Sequence, residues 1–404
     1  MYRDIYDLIL SFGPRLVYTA GLPKEAAKAP PGVHFESCVN EKAAYEMALA
    51  GSYAAKKTAC LFSVEGVYEA LDPLMSSAYT GVKGGMVVVC VREGPLDVTP
   101  LGPFSKLPVL VSDGTPGDLA QALAFAFDLS PRYEIPCLVE TLPPGGRTRR
   151  KTAGTAAVDG MSVFTKDTGR WAAIPKFRFQ LHKALNEKIE RIREEFETYA
   201  GNVRTVKGVR GVLTHRACTE AMPAGASVLA LGSVFPVPLR LVAQFAQSVR
   251  GLRVIEGGYA AIEVQLRAGG IDRRLCGSAA AGAKSGRRAA AGEKLFGLAV
   301  VRDRLGPASS INIAHGMAKS GVKGILALTD ADTFLRSGLP AFVNTIYNGS
   351  DYLLAIKTDG RAKEVGRALR GFGFDRIHRL ALRGDIRKYR DEGRLTVLLH
   401  EGDL

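Results

Sequence analysis

Runs of hydrophobic residues are short in this 404-residue chain: stretches such as GGMVVVCV fall far below the roughly 20 apolar residues that a bilayer-spanning helix needs. The opening stretch MYRDIYDLILSFGPRL places Asp4 and Asp7 where a secretory leader would keep its apolar core, so no targeting segment is expected. Cysteine is sparse. Cys38, Cys60, Cys90, Cys137, Cys218 and Cys276 are scattered singly, without the close pairs that bind zinc or an iron–sulfur cluster, and are expected to be reduced and mostly buried. Acid is also short, with 40 Asp and Glu against 54 Lys and Arg, a net charge of +14. That imbalance points to an acidic partner, whether protein, phosphate-bearing ligand or nucleic acid. No aromatic-interleaved groove and no nucleic-acid module accompanies it, so nucleic acid is not the expected partner. The excess base gathers in GGRTRRK (145–151), SGRRAAAGEK (285–294) and the arginine-rich C-terminus.

With 47% hydrophobic and 23% charged residues, the composition is that of a globular protein, which without a targeting segment or membrane span is expected to be cytoplasmic, and the length is enough for two or three domains. PRLVYTA, KTACLFSV, GGMVVVCV, KLPVLVS and IPCLVE are short, branched and bounded by Gly or Pro, the pattern of buried strands. NEKAAYEMALAGSYAA, DPLMSSAYTGV and TPGDLAQALAFAFDLSPRY lie between them at helical spacing. The alternation predicts an α/β domain over 1–150 with a mostly parallel sheet.

A polar connection around Trp171, ending in the amphipathic helix FQLHKALNEKIERIREEFETYA, fills 151–200. A central α/β domain is expected over 201–266 and a Gly, Ala and Arg-rich linker over 267–304. A third α/β unit follows over 305–404, where PASSINIAHGMAKSG, KGILALTDADTF and RLTVLLHEG again alternate helix and strand.

NEKAAYEMALAGSYAA, DPLMSSAYTGVKGGMVVVCVREGP and SPRYEIPCLVETLP resemble the N-terminal domain of the α subunit of indolepyruvate ferredoxin oxidoreductase. LGSVFPVPLRLVAQFAQSVRGLRVIEGG resembles that family's central domain, and ASSINIAHGMAKSG with TFLRSGLPAFVNTIYNGSDYLLAI resembles its diphosphate-binding domain. The resemblance implies a thiamine-diphosphate-binding fold of three α/β units. It also implies that Glu41, in Asn40-Glu41-Lys42, hydrogen-bonds the aminopyrimidine ring, so that the ring's amino group becomes the base that forms the ylid. The residue alone has a plainer explanation, an acid stabilised in the first turn of a helix. For the partners, the resemblance implies a homodimer or a complex with a second oxidoreductase-type subunit.

In this family magnesium bridges the cofactor's phosphates to an aspartate and an asparagine, hard oxygen ligands in an octahedral set. Here those positions fall on Ala331 and Asp359. Asp330 and Asp332 flank the lost aspartate and, with Asp359, are the metal candidates, although neighbours on a strand face opposite ways. Ser309, Ser310 and His315, at the start of a helix, are candidates to hold the diphosphate; Ser309 also reads as an ordinary helix cap.

Other departures accumulate. The family's Lys-His pair is replaced by Ser63-Val64, and no C-terminal module of closely spaced cysteines is present, so no iron–sulfur cluster is expected in this chain. The sequence therefore supports two main readings: a divergent thiamine-diphosphate-dependent 2-oxoacid oxidoreductase subunit, or a non-catalytic scaffold or assembly subunit that keeps the fold without its metal and diphosphate site.

Overall fold

The apolar runs form strands where both faces are covered, because branched side chains pack there and each backbone group finds its partner in the ladder. In the computed structural model these strands build three sheets. The structure describes residues 2–20, 29–144, 164, 166–171, 175–257, 259–271, 279–280, 294–295, 298–303, 306–381, 383–389 and 393–402. The basic stretches at 145–151 and 285–293 lie outside the described residues, as does most of the 267–294 segment.

The first compact unit, Met1–Ser285, opens with α1 (Tyr2–Leu10), β1 (Leu16–Ala20) and β2 (His34–Cys38). It continues through α2 (Glu41–Tyr53), β3 (Thr58–Ser63), α3 (Val64–Glu69), α4 (Leu71–Thr80), β4 (Met86–Val91), α5 (Leu101–Ser105), β5 (Val109–Ser112), α6 (Pro116–Tyr133) and β6 (Cys137–Thr141). After α7 (Thr168–Trp171) and α8 (Pro175–Phe196) come β7 (Val203–Thr205), β8 (Arg210–His215), β9 (Ser227–Leu231) and β10 (Ser233–Phe235). The unit closes with α9 (Leu239–Gln247), β11 (Gly251–Glu256), α10 (Ala261–Ala268) and β12 (Ala279–Ala280).

Its seven-stranded sheet runs β10-β5-β6-β4-β3-β1-β2, parallel except for β10 at one edge. Every residue of β4 is buried, and each such valine contributes on the order of 1.5–3 kcal/mol of burial. The five-stranded sheet runs β12-β11-β8-β9-β7, with β7 antiparallel. α8 seats Leu185, Ile189, Ile192 and Phe196 in the same core, an i, i+4, i+7, i+11 stripe. Its Glu195 holds Arg132 through two bonds of 2.9 and 3.0 Å.

The second compact unit, Gly286–Leu404, has β13 (Lys294–Leu295), β14 (Leu298–Arg302), α11 (Ser309–Lys319), β15 (Ile325–Asp330), α12 (Ala331–Thr333) and a π-helical turn at Phe334–Gly338. There follow α13 (Leu339–Asn348), β16 (Leu353–Lys357), α14 (Ala362–Gly371), β17 (Ile377–Arg379), a 3-10 turn at Arg383–Tyr389 and β18 (Thr396–His400). The six-stranded sheet runs β13-β14-β15-β16-β18-β17 and is parallel except for β13. All three sheets are thus parallel with one antiparallel edge, the mixed α/β architecture expected from the strand and helix alternation. No helix among the described residues is long and apolar enough to cross a membrane.

Candidate functional site

Parallel α/β sheets present their ligand-binding groups at the carboxyl edge, where the loops after the strands gather. In the first unit this edge carries Glu41. Asn40 takes an extended conformation after β2 and its side-chain oxygen accepts from Ala43 N at 2.9 Å, which starts α2 with Glu41 as its first helical residue. Ala44, Ala48 and Ser52, with Tyr45 and Leu49, turn one face of α2 inward, and Tyr45 OH lies 2.7 Å from Ser77 Oγ. Glu41 is 2% exposed, so its carboxyl lies inside the protein rather than on a solvated first turn.

The next loop completes the floor of this site. Ser63 ends β3 and caps α3 by accepting from Gly66 N at 3.1 Å. A Cβ built on Gly66 would lie 2.6 Å from Glu41 Cγ and 2.7 Å from Oε1, so the Glu41 side chain rests directly on a bare backbone. Ser63-Val64, the positions where the resemblance implies a Lys-His pair, are taken up by this capped turn.

Deeper along the same edge is a charged cluster that no motif in the sequence marks. Arg92, just after β4, reaches Glu140 of β6 at 3.3 Å and donates to the carbonyl of Ala217 beyond β8. Glu140 also accepts from Val98 N at 2.7 Å, and burial pushes its carboxyl up to about 7. Asp97 accepts from Thr99 N at 3.0 Å, and Glu256 accepts from Ile262 N and Glu263 N at 2.7 and 3.0 Å. Burial raises Glu256 to about 7 as well. His215 is 2% exposed, and neither ring nitrogen has a hydrogen-bond partner among the described residues. Burial, reinforced by Arg92, holds its imidazole down to about 3. The available signal was a charged residue closing an apolar run, as Glu140 closes IPCLVE.

In the second unit the carboxyl edge brings Asp330, Asp332 and Asp359 to the ends of β15 and β16, and each already has protein partners. Asp330 caps α12, accepting from Thr333 N at 2.9 Å and Thr333 Oγ1 at 2.8 Å. Asp332 accepts from Arg336 Nη1 on one oxygen and from Arg361 Nη1 on the other, both at 3.2 Å. Asp359 sits at φ 43°, 3.8 Å from Lys357 Nζ, in a turn pinned by Glu401 to Thr358 Oγ1 and Gly360 N. Among the described residues no group of three His, Cys, Asp or Glu side chains converges as a metal site.

The three diphosphate candidates separate. The cap of α11 is Ala308 in the left-handed region, so Ser309 is its first helical residue rather than its cap. Ser310 N donates to Asp303 Oδ1 at 2.8 Å, while Thr329 Oγ1 donates to Asp303 Oδ2 at 2.7 Å. A carboxylate of the chain itself thus sits on the amide end of α11, the place that suits an anion. Ser310 Oγ is fully buried without a partner among the described residues. His315, farther along α11, bonds Ser350 Oγ at 2.7 Å near the start of β16, at the opposite edge of the sheet.

No protein-family model matches the chain. Over 279 residues it is 27% identical to the indolepyruvate oxidoreductase subunit IorA of Pyrococcus abyssi, covering 62% of this chain and 42% of that protein. The chain is a divergent relative of the IorA subunits. With the IorA of Archaeoglobus fulgidus the identity is 24% across an alignment of 445 positions, covering 84% of this chain and 70% of that protein. The chain spans about two-fifths of the length of the Pyrococcus IorA that it matches. A solved structure of the 2-oxoglutarate:ferredoxin oxidoreductase from Magnetococcus marinus, with 2-oxoglutarate, coenzyme A and succinyl-CoA bound, aligns at a TM-score of 0.50 and 14% identity. It covers 66% of this chain and 59% of that one, a likeness of fold.

Proposed function

We propose that this chain is an IorA-like subunit that retains the fold and the buried pyrimidine-side acid but serves without thiamine diphosphate chemistry of its own, as a scaffold or assembly subunit for an oxidoreductase complex. The observation that carries this reading is the Asp303 carboxylate on the amide end of α11, where it takes the anion position. The metal side supports it. Magnesium demands near-ideal octahedral oxygen geometry, and the acids present do not fit that demand as they are held. Asp330 is spent on a helix cap, and Asp332 carries fixed positive charge on both oxygens. Surface ion pairs of this kind contribute only about 0–1 kcal/mol each. Their weight here is electrostatic placement: a guanidinium and a dication compete for the same oxygen.

A second reading, the divergent enzyme, is favoured by Glu41, whose burial suits a carboxyl that shares a proton with a ring nitrogen. Such an enzyme would use Glu41 to orient the aminopyrimidine, and the cofactor, when bound, would supply the carbanion-stabilising chemistry. Thermal unfolding with and without millimolar thiamine diphosphate and magnesium separates the two. A ligand at 100 times its dissociation constant stabilises by about 2.7 kcal/mol, which moves the melting temperature by several degrees. The scaffold reading expects no shift. A shift that persists in Glu41→Gln but disappears without magnesium would support the enzyme.

A further inference from the structure

The loop over 92–100 joins the carboxyl edges of the two sheets in the first unit. On the side of the first sheet, Arg92 N donates to the carbonyl of Thr141 at 2.9 Å, Val98 N donates to Glu140, and Tyr68 OH donates to the carbonyl of Asp97 at 2.9 Å. On the side of the second sheet, Arg92 donates to the carbonyl of Ala217, just beyond β8. Just beyond β11, Asp97 Oδ2 lies 3.0 Å from where a Cβ on Gly257 would stand. The tip at Glu93, Gly94 and Pro95 is exposed, while Arg92, Asp97, Val98 and Thr99 are buried. The loop is a strap whose buried polar groups hold both sheets.

Charge under the strap is out of balance. Glu140, Asp97 and Glu256 are each at most 3% exposed, and Asp97 interacts electrostatically with the other two. Among the described residues Arg92 is the one Arg or Lys buried with them. A single guanidinium offsets one carboxylate, and a further buried carboxylate without a countercharge is costly, so the closed strap favours protonated acids. The surrounding groups do not remedy this. Glu140 faces Cys90 of β4 and Tyr68 of α3, whose thiol and phenol burial holds protonated, and Glu65 of α3 adds negative charge beside Cys90. Glu256 faces Glu263 of α10, an acid already paired with Arg267. His215 of β8 faces Arg92, with no hydrogen-bond partner on either ring nitrogen among the described residues, and burial keeps it neutral.

We propose that this strap is a proton-operated clasp, shut over the carboxyl edge of the second sheet while Glu140 and Glu256 carry protons and released as they ionise. Burial places both carboxyls near 7, so closure is complete below about 4.5 and is lost as pH rises through about 7. His215 acts in the opposite sense, because its imidazole once exposed binds a proton below about 6.5. Release uncovers the edge of a parallel sheet where ligand-binding groups gather.

The test is hydrogen exchange of the full chain, followed by mass spectrometry and corrected for the intrinsic pH dependence of amide exchange. Peptides covering 92–100 are compared at pH 6 and pH 8. Over this interval each glutamate contributes about tenfold and His215 opposes by about fourfold, so protection of the strap is expected to fall at least about tenfold. Peptides from β3 report opening of the whole unit, and the strap is expected to exchange at least about tenfold faster than they do at pH 8. In Glu140→Gln/Glu256→Gln the fall is expected to vanish, leaving the small opposite trend of His215. Circular dichroism verifies folding, and if the double variant does not fold, Glu140→Gln and Glu256→Gln take its place singly, each expected to remove part of the fall. A fall of undiminished size in the variants, exchange of the strap in step with β3 at both pH values, or no fall in the wild type would each overturn the proposal.

Discussion

A methyl group at Gly66 would press into the Glu41 side chain at 2.6–2.9 Å, which makes this glycine the residue that sets where the carboxyl lies. In an ordinary helix Gly→Ala gains up to about 1 kcal/mol. Here Gly66→Ala is expected to cost about 1–3 kcal/mol in urea unfolding, the range of overpacked cores, and a stabilised variant would show that the contact is loose. His215 provides a second test at this scale. Its folded pKa is depressed, to about 3 from 6.5, so the unfolded chain binds the proton more readily. Stability from this group is complete above about 6.5 and is lost as pH falls toward 3. His215→Leu removes that loss, so between about pH 7 and about pH 5 the variant should gain about 2 kcal/mol on the wild type in urea midpoints. A pH-independent difference would contradict the assignment. Glu140 acts in the opposite sense: its folded pKa is raised, so its contribution is complete below about 4.5 and is lost as pH rises through about 7.

Among the elements, α11 and its approach carry the most consequence. Asp303 satisfies the Ser310 amide and the Thr329 hydroxyl together, so Asp303→Ala is expected to cost about 1–3 kcal/mol by leaving both donors unmet. The same variant empties the amide end of α11, and inorganic pyrophosphate should then raise its melting temperature while leaving the wild type unchanged. Equal responses would show that Asp303 is not an occupant of an anion seat. Much of the first sheet was legible: PRLVYTA, KTACLFSV, GGMVVVCV, KLPVLVS and IPCLVE became β1, β3, β4, β5 and β6, because doubly buried strands advertise themselves as unbroken apolar runs. The edge strand β2, with His34, Glu36 and Ser37, carries no such run. β10 is three residues whose pairing with β5 is a contact across more than a hundred positions, invisible to any local pattern. At the site, the depth of Glu41 follows from α2 and α3 together, whereas the partners of Asp330, Asp332 and Asp359 depend on arginines and turns that spacing does not reveal.

At the scale of the molecule, each compact unit has its own core: the first draws on both its sheets, and the second on clusters around Phe342 and Leu398. Chains built this way depart from two-state unfolding, so calorimetry is expected to give a van 't Hoff enthalpy below the calorimetric one. Equality of the two would mean that the units unfold as one. If Asp303 and the arginines on Asp332 occupy the anion and metal positions, as proposed, thiamine diphosphate has no seat in this chain. Isothermal titration of the full chain with thiamine diphosphate in excess magnesium is the decisive experiment. No saturable heat is expected up to millimolar cofactor; a stoichiometric, magnesium-dependent isotherm with a micromolar dissociation constant would show that the seat is open.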